Sequence, residues 1–297
     1  MLCNLSAATL YLFQTKTNLP MKLPAFAPRV FIALLFILPA GMAKAQHSVT
    51  KLWQTDTVLN IPESVLHEKD VLYVSLIDGD AWAADGKGGV GTVSIDGKIK
   101  NTSWITGLNA PKGMARVGDR LYVADLNEVA VIDIKKGAID HKIAIPGAAW
   151  LNDVTADKKG TVYVTDSKNG TAYKIEGDKA TLFLEGIKGI NGIKAVADKV
   201  YVLGGDAMYL AGNDKKATKF AELEHGGDGL EPIGNGDFLA TAWSGYLYYI
   251  KADGTKELLL DTHETKNKTA DIGYDPKTRI IYVPTFLGKS VVAYKLN

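Results

Sequence analysis

Short apolar runs punctuate the chain from Val71 to its end, each about four residues of β-branched and aromatic type between polar turns. Val71-Leu72-Tyr73-Val74 is followed by Arg120-Leu121-Tyr122-Val123, Thr161-Val162-Tyr163-Val164, Lys199-Val200-Tyr201-Val202, Asp237-Phe238-Leu239-Ala240 and Ile280-Ile281-Tyr282-Val283. Successive copies start 49, 41, 38, 38 and 43 residues apart. Turn signals such as Gly118-Asp119, Lys159-Gly160 and Asn235-Gly236 precede them, so each run reads as a strand entered through a tight turn. A further short strand follows each, as at Glu128 to Ile134, Thr171 to Glu176, Gly245 to Lys251 and Ser290 to Leu296. Asp96-Gly97, Gly177-Asp178 and Asp253-Gly254 then turn the chain into a polar fourth strand.

Four strands in about 42 residues, repeated six times, predict an all-β fold, a six-bladed β-propeller of four antiparallel strands per blade. The last copy runs out after three strands at Asn297, while Val49 to Val58 stands unassigned before the first. That N-terminal strand is expected to complete the last blade and close the ring, removing an exposed edge. The longest irregularity, Asp78 to Gly91, carries Trp82 and reads as a loop beside the channel mouth; its carboxylates do not match a calcium-loop spacing. Residues 46–297 are expected to form this single domain.

Residues 1–45 have a different pattern. Lys22 and Arg29 precede the apolar run Val30 to Leu38, and Ala43-Lys44-Ala45 places small residues where signal peptidase reads them. Nine apolar residues are too few to span a bilayer, which takes about 20. The segment predicts a signal peptide beginning at Met21 and cleaved after Ala45, hence an exported protein, periplasmic or secreted, with no membrane anchor after cleavage. The lone cysteine, Cys3, lies in this region, so an intrachain disulfide, a redox pair and a cysteine zinc cluster are all excluded.

Composition narrows the function classes. The full chain is 46% hydrophobic and 23% charged with a net charge of +1, which excludes disorder and a basic nucleic-acid surface. Removing residues 1–45 leaves 30 basic and 33 acidic residues, a net charge of −3, and no nucleic-acid partner is expected. Serine-hydrolase, zincin and phosphate-loop motifs are missing from the sequence.

In a propeller the innermost strands line the channel, so one repeat position supplies six convergent side chains. Counting back ten to twelve residues from each recurring phrase gives Glu63, Lys112, Asn152, Asn191, Asp228 and Ala270. Asn-Gly and Asp-Gly are common turn dipeptides. Four oxygen-bearing side chains at one buried repeat position nevertheless favour a cation site, because unpaired channel carboxylates are costly.

Glu63-Ser64, Asn152-Asp153, Asn191-Gly192 and Asp228-Gly229, in the first, third, fourth and fifth repeats, resemble the regucalcin (senescence marker protein) and gluconolactonase family. The resemblance covers essentially the whole of residues 46–297. It implies that Glu63, Asn191 and Asp228 hold one divalent cation, with Asn152 beside it and facing the substrate. Calcium suits this hard oxygen set best, with zinc, magnesium or manganese as alternatives. It implies further a metal-dependent hydrolase of lactones or related esters, with Asp228, or a metal-bound water relayed through it, as base and Asn152 orienting a small-molecule substrate at the channel mouth.

Two positions depart from the family. Trp150 stands where the family places a substrate-contacting arginine, and tryptophan cannot donate forked hydrogen bonds to a sugar acid. Lys112 brings a positive charge into the ring, where it either pairs with Glu63 or Asp228, orients an anionic ligand, or snorkels to the mouth. His225, three residues before Asp228, is expected near the mouth as a proton shuttle or a plain loop histidine. Asp153 and Asp271 read as turn-capping carboxylates. The competing expectation is a non-catalytic exported propeller that binds a small molecule or protein on its top face.

Overall fold

A strand with neighbours on both faces must be apolar on both, and the sequence Glu-Val-Ala-Val-Ile-Asp at residues 128–133 shows how this works. Val129 and Val131 pack with Leu151 and Val164 on one side, whereas Ala130 and Ile132 pack with Val90 and Ile105 on the other. Repeated around a ring, such two-faced sheets give a propeller. The computed structural model describes residues 47–297. The expected signal peptide, its start at Met21 and its cleavage site lie outside the described residues.

Six four-stranded antiparallel sheets are present, as the repeats predict. The strand β1 (Val49–Gln54) precedes the first blade, which is β2 (Pro62–Glu68), β3 (Val71–Leu76), β4 (Gly88–Ser94) and β5 (Ile99–Leu108). The second blade is β6 (Pro111–Val117), β7 (Arg120–Asp125), β8 (Glu128–Asp133) and β9 (Ala138–Ala144). The third is β10 (Leu151–Ala156), β11 (Val162–Asp166), β12 (Thr171–Glu176) and β13 (Lys179–Leu184). The fourth is β14 (Ile193–Val196), β15 (Lys199–Leu203), β16 (Ala207–Ala211) and β17 (Ala217–Glu222). The fifth is β18 (Leu230–Gly234), β19 (Asp237–Ala242), β20 (Tyr246–Ile250) and β21 (Lys256–Asp261). The sixth joins β22 (Gly273–Asp275), β23 (Ile280–Pro284) and β24 (Val291–Leu296) to β1, in the order β1-β24-β23-β22.

Every recurring phrase is the second strand of its blade. The expected ring closure is realised by β1 pairing antiparallel with β24, from Val49 opposite Leu296 to Gln54 opposite Val292. The core is divided among the six blade interfaces; the closing one, for example, packs Val65, Leu72 and Val74 against Tyr282, Val291 and Ala293. One boundary differs from expectation. Gly88 to Gly91 belong to β4, so the loop carrying Trp82 ends at Lys87. Its last glycines are required by packing: a Cβ on Gly89 would lie 2.2 Å from the Ile105 carbonyl oxygen in β5.

Candidate functional site

The six repeat positions lie at or just before the start of each innermost strand, and five of them, Ala270 included, are almost fully buried. Glu63 is 5% exposed, Lys112 3%, Asn152 6% and Asp228 2%. Asn191, just before β14, is partly buried, and Ala270 fills the sixth place as a small apolar side chain. Lys112 therefore does not snorkel to the mouth, and Asp228 does not sit in open solvent.

Three oxygens of this ring are buried without a hydrogen-bond partner: Glu63 Oε2, Asn191 Oδ1 and Asp228 Oδ1. These belong to the three residues expected to share a cation. Orphaned buried oxygens are costly, and a small divalent ion accepts such donors. Burial, opposed by Lys112 and reinforced by Asp228 and Asp271, holds the Glu63 carboxyl well above its ordinary range. Burial and then Asp271 push Asp228 up to about 8, against the pull of Lys112. The Lys112 ammonium is itself drawn down by burial, although Glu63 and Asp228 oppose the shift. One ammonium thus offsets two buried carboxylates only in part, and added positive charge would let both ionise. Among the described residues no three His, Cys, Asp or Glu side chains cluster as ligands, so any such site depends on the amides as well as the acids.

Asn152 is fixed from one side: its Nδ2 donates to Ser167 Oγ at 3.1 Å, and Ser167 donates to the Ile190 carbonyl at 2.6 Å. Trp150, two residues earlier, has its backbone N–H bonded to Asp166 Oδ1 at 3.2 Å and its carbonyl to the Ser167 N–H at 2.9 Å. The carboxylate at the end of β11 therefore places both the tryptophan and the loop behind it. Trp150 stacks on Trp82 with centroids 4.8 Å apart and planes inclined by 22°. Lys112 Nζ lies 4.2 Å from the Trp82 centroid and Lys168 Nζ 5.2 Å from that of Trp150. A chain of cation–π and π–π contacts runs from the ring to the rim.

The rim continues as a small cluster of Ile77, Ala110 and Leu126, against which Ile61, Trp82 and Phe286 pack. Ile61, Leu126 and Phe286 have φ of 51°, 59° and 50°, a left-handed conformation that is unfavourable for such side chains. Strain of this kind persists only where surrounding contacts fix it, and it is common at ligand sites.

Beneath the ring lies a layer whose role was not read from the sequence. Asp153 accepts the backbone N–H of Ile193 in the next blade at 2.8 Å, and Asp271 accepts the Ser64 hydroxyl at 2.5 Å. They tie innermost strands together and do not cap turns. Burial and then Asp271 keep Asp153 well above the usual carboxylate range; burial lifts Asp271 to about 6 against Ser64 and Lys194. Lys194 pairs with Glu231 at 2.6 Å in the neighbouring blade. Gly113, Gly192 and Gly229 follow ring positions and are not turn glycines either. A Cβ on Gly192 would meet the Asp228 carbonyl oxygen at 2.2 Å, and one on Gly113 would meet Asp153 Oδ1 at 2.3 Å.

His225 stands apart. Its exposed ring stacks at 4.0 Å on Tyr246, which begins the third strand of blade five, and Tyr246 stacks in turn at 5.4 Å on His263. None of these contacts brings it to the ring residues.

No family model matches the chain, and no curated protein matches it. Solved structures do. A protein of unknown function from Bacteroides thetaiotaomicron superposes with a TM-score of 0.66 at 15% identity, over 84% of this chain and 76% of that one. A streptogramin B lyase gives 0.62 at 11% identity, over 84% and 98%. A protein described as a gluconolactonase gives 0.62 at 14% identity, over 86% and 93%. Identities this low establish a shared propeller fold.

Proposed function

We propose that the protein is an exported, metal-dependent hydrolase of lactones or related esters, working at the ring of Glu63, Lys112, Asn152, Asn191 and Asp228. The observation that carries this reading is the coincidence of three partnerless buried oxygens with the three residues expected to be cation ligands. A divalent cation held there, calcium by preference, would polarise the substrate carbonyl and stabilise the oxyanion. Asp228 takes the proton of the attacking water as its oxygen bonds to the carbonyl carbon. The same carboxyl then returns the proton to the departing ring oxygen as the C–O bond breaks, releasing a hydroxy acid. Accepting that proton requires an ionised Asp228; burial pushes its carboxyl up to about 8, and the positive charge of a bound cation would favour the ionised form. Asn152, steadied by Ser167, orients the substrate, and the Trp82–Trp150 pair limits water entry.

Export is supported by the leader pattern of residues 1–45. Among the described residues no helix is long and apolar enough to cross a membrane. Lys112 favours the rival reading, a non-catalytic binding propeller, because a fixed ammonium among the acids supplies charge that a metal otherwise would. Calcium titration of wild type and Asp228→Ala, followed by a lactone panel, separates the two. Tight calcium binding and hydrolysis that both disappear in the variant are expected. Equal calcium affinity in both proteins would leave the hydrolase without a physical basis.

A further inference from the structure

A cleft of about 570 Å3 opens beside Trp150, between the loop that follows β11 and the connection from blade three to blade four. Its walls include Trp150, Ser167, Lys168, Lys188, Gly186 and Gly189, and its lining contains two lysines and no carboxylate. Ser167 is the residue that holds the Asn152 amide, so the cleft shares a wall with the ring. Trp150 is 38% exposed although its backbone is fastened at the N–H and the carbonyl and its ring is stacked on Trp82, which leaves part of a fixed aromatic ring open to solvent beside Lys168. The glycines keep the far side low: a Cβ on Gly186 would meet nothing within 4 Å, and one on Gly189 only another glycine at 3.6 Å. Neither Lys168 nor Lys188 has an acidic side chain within 4.0 Å among the described residues, whereas Lys142, Lys194 and Lys251 are paired.

We infer that this cleft is a binding subsite for a planar aromatic group bearing an anionic substituent. A flat, immobilised tryptophan recognises a flat apolar partner at small entropic cost. Two unpaired lysines at its edge then select a carboxylate-type charge on that partner. The shared wall at Ser167 directs the other end of the ligand to Asn152. Where the hydrolase reading holds, the substrate is an aromatic lactone or ester carrying an anionic group; this substrate class rests on that reading, whereas the binding site does not.

The test measures binding without turnover, using naphthoate, its saturated decalin analogue, neutral naphthamide and gluconate, by calorimetry on the soluble chain with calcium present. Naphthoate is expected to bind at least about tenfold more tightly than each of the others. Trp150→Ala is expected to remove the preference for naphthoate over the decalin acid. The double variant Lys168→Gln, Lys188→Gln is expected to bring naphthoate down to naphthamide while leaving naphthamide unchanged. Trp150→Phe, which keeps a flat ring, serves if the alanine variant does not fold, and it should retain most of the preference. Equal binding of aromatic and saturated acids, or an unaltered preference in Trp150→Ala, would overturn the proposal. A lactone panel run in parallel keeps the two readings separate: naphthoate selectivity without hydrolysis removes the enzyme and leaves the subsite, and hydrolysis without that selectivity does the reverse.

Discussion

Asp228 shows why a buried carboxyl is a liability until something pairs with it. Burial and the neighbouring Asp271 raise it to about 8, and one of its oxygens has no partner. Asp228→Asn removes the ionisable group while keeping size and polarity. It should weaken calcium binding by at least about tenfold, with the thermal midpoint of the calcium-free protein unchanged or slightly raised; calorimetry and thermal unfolding read the two effects. Lys112 acts in the opposite sense, since its ammonium competes with any cation for Glu63 and Asp228. Lys112→Met should therefore tighten calcium binding by about tenfold, and a weaker affinity would show that the lysine organises the acids instead of competing for them. The ring residues were legible in the sequence because a propeller repeats one position in every blade. The layer below was not, because Ser64, Gly113, Asp153, Gly192, Gly229 and Asp271 share no chemistry from blade to blade. Taken around the ring, their restriction to small and acidic types marks innermost strands in close approach. His225 was displaced from expectation for a related reason: proximity in sequence to Asp228 fixed neither its direction nor its partner, and stacking on Tyr246 decided both.

Strands reveal themselves more readily than the reasons for their spacing. All six second strands stand within a residue of their repeated phrase, because a doubly buried strand needs an apolar run and a turn on each side. Asn191-Gly192 and Asp228-Gly229 resisted the same logic, since a dipeptide that favours turns is also what a narrow channel demands. Neither glycine has a positive φ; backbone from the next blade fills the space a side chain would need, with Ile272 N 2.5 Å from a Cβ built on Gly229. Blades are stitched there by polar contacts as well. Thr165 Oγ1 accepts the Asp153 N–H at 3.0 Å and donates to the Asn191 carbonyl at 2.6 Å, and Thr241 repeats the pattern with Gly229 and Ala270. Gly192→Ala must push the fourth and fifth blades apart, because the obstructing atom is a backbone oxygen. A loss of about 2 kcal/mol or more is expected, seen as a drop of about 4–8 °C in the thermal midpoint for a domain of this size. Thr165→Val, which removes the hydroxyl at nearly constant volume, should cost about 1–2 kcal/mol in denaturant unfolding. An unchanged midpoint in both variants would mean that the inner strands are less tightly set than these distances require.

At the scale of the ring, one closure joins β1 to β24. Residues 49–54 complete the sixth blade, and His47 adds a clasp to the fifth: its N–H and Nδ1 contact Glu257 Oε2 at 3.1 and 3.0 Å, and its ring stacks on Tyr249 at 3.8 Å. Deleting Ser48 to Asp56 should therefore destabilise the whole domain and expose the edge of β24 to association, which thermal unfolding and light scattering would detect. The clasp also makes a prediction in acid. The Lys251 ammonium at 2.6 Å, followed by His47, outweighs partial burial and holds the Glu257 carboxyl down at about 2, below its ordinary 4.5. A depressed carboxyl contributes stability that is fully present above its unfolded pKa and is lost as pH falls through its folded one. The window for Glu257 thus runs from about pH 4.5 down to about pH 2. Because Lys251 is 34% exposed and Glu257 14%, solvent screening reduces the contribution to about 1 kcal/mol. Glu257→Gln should be less stable than wild type by about that amount at about pH 6, and the two unfolding curves should converge as the pH approaches 2. A difference that persists unchanged into strong acid would assign the loss to packing of the Glu257 stem, and the ionic clasp would have no part in closing the ring.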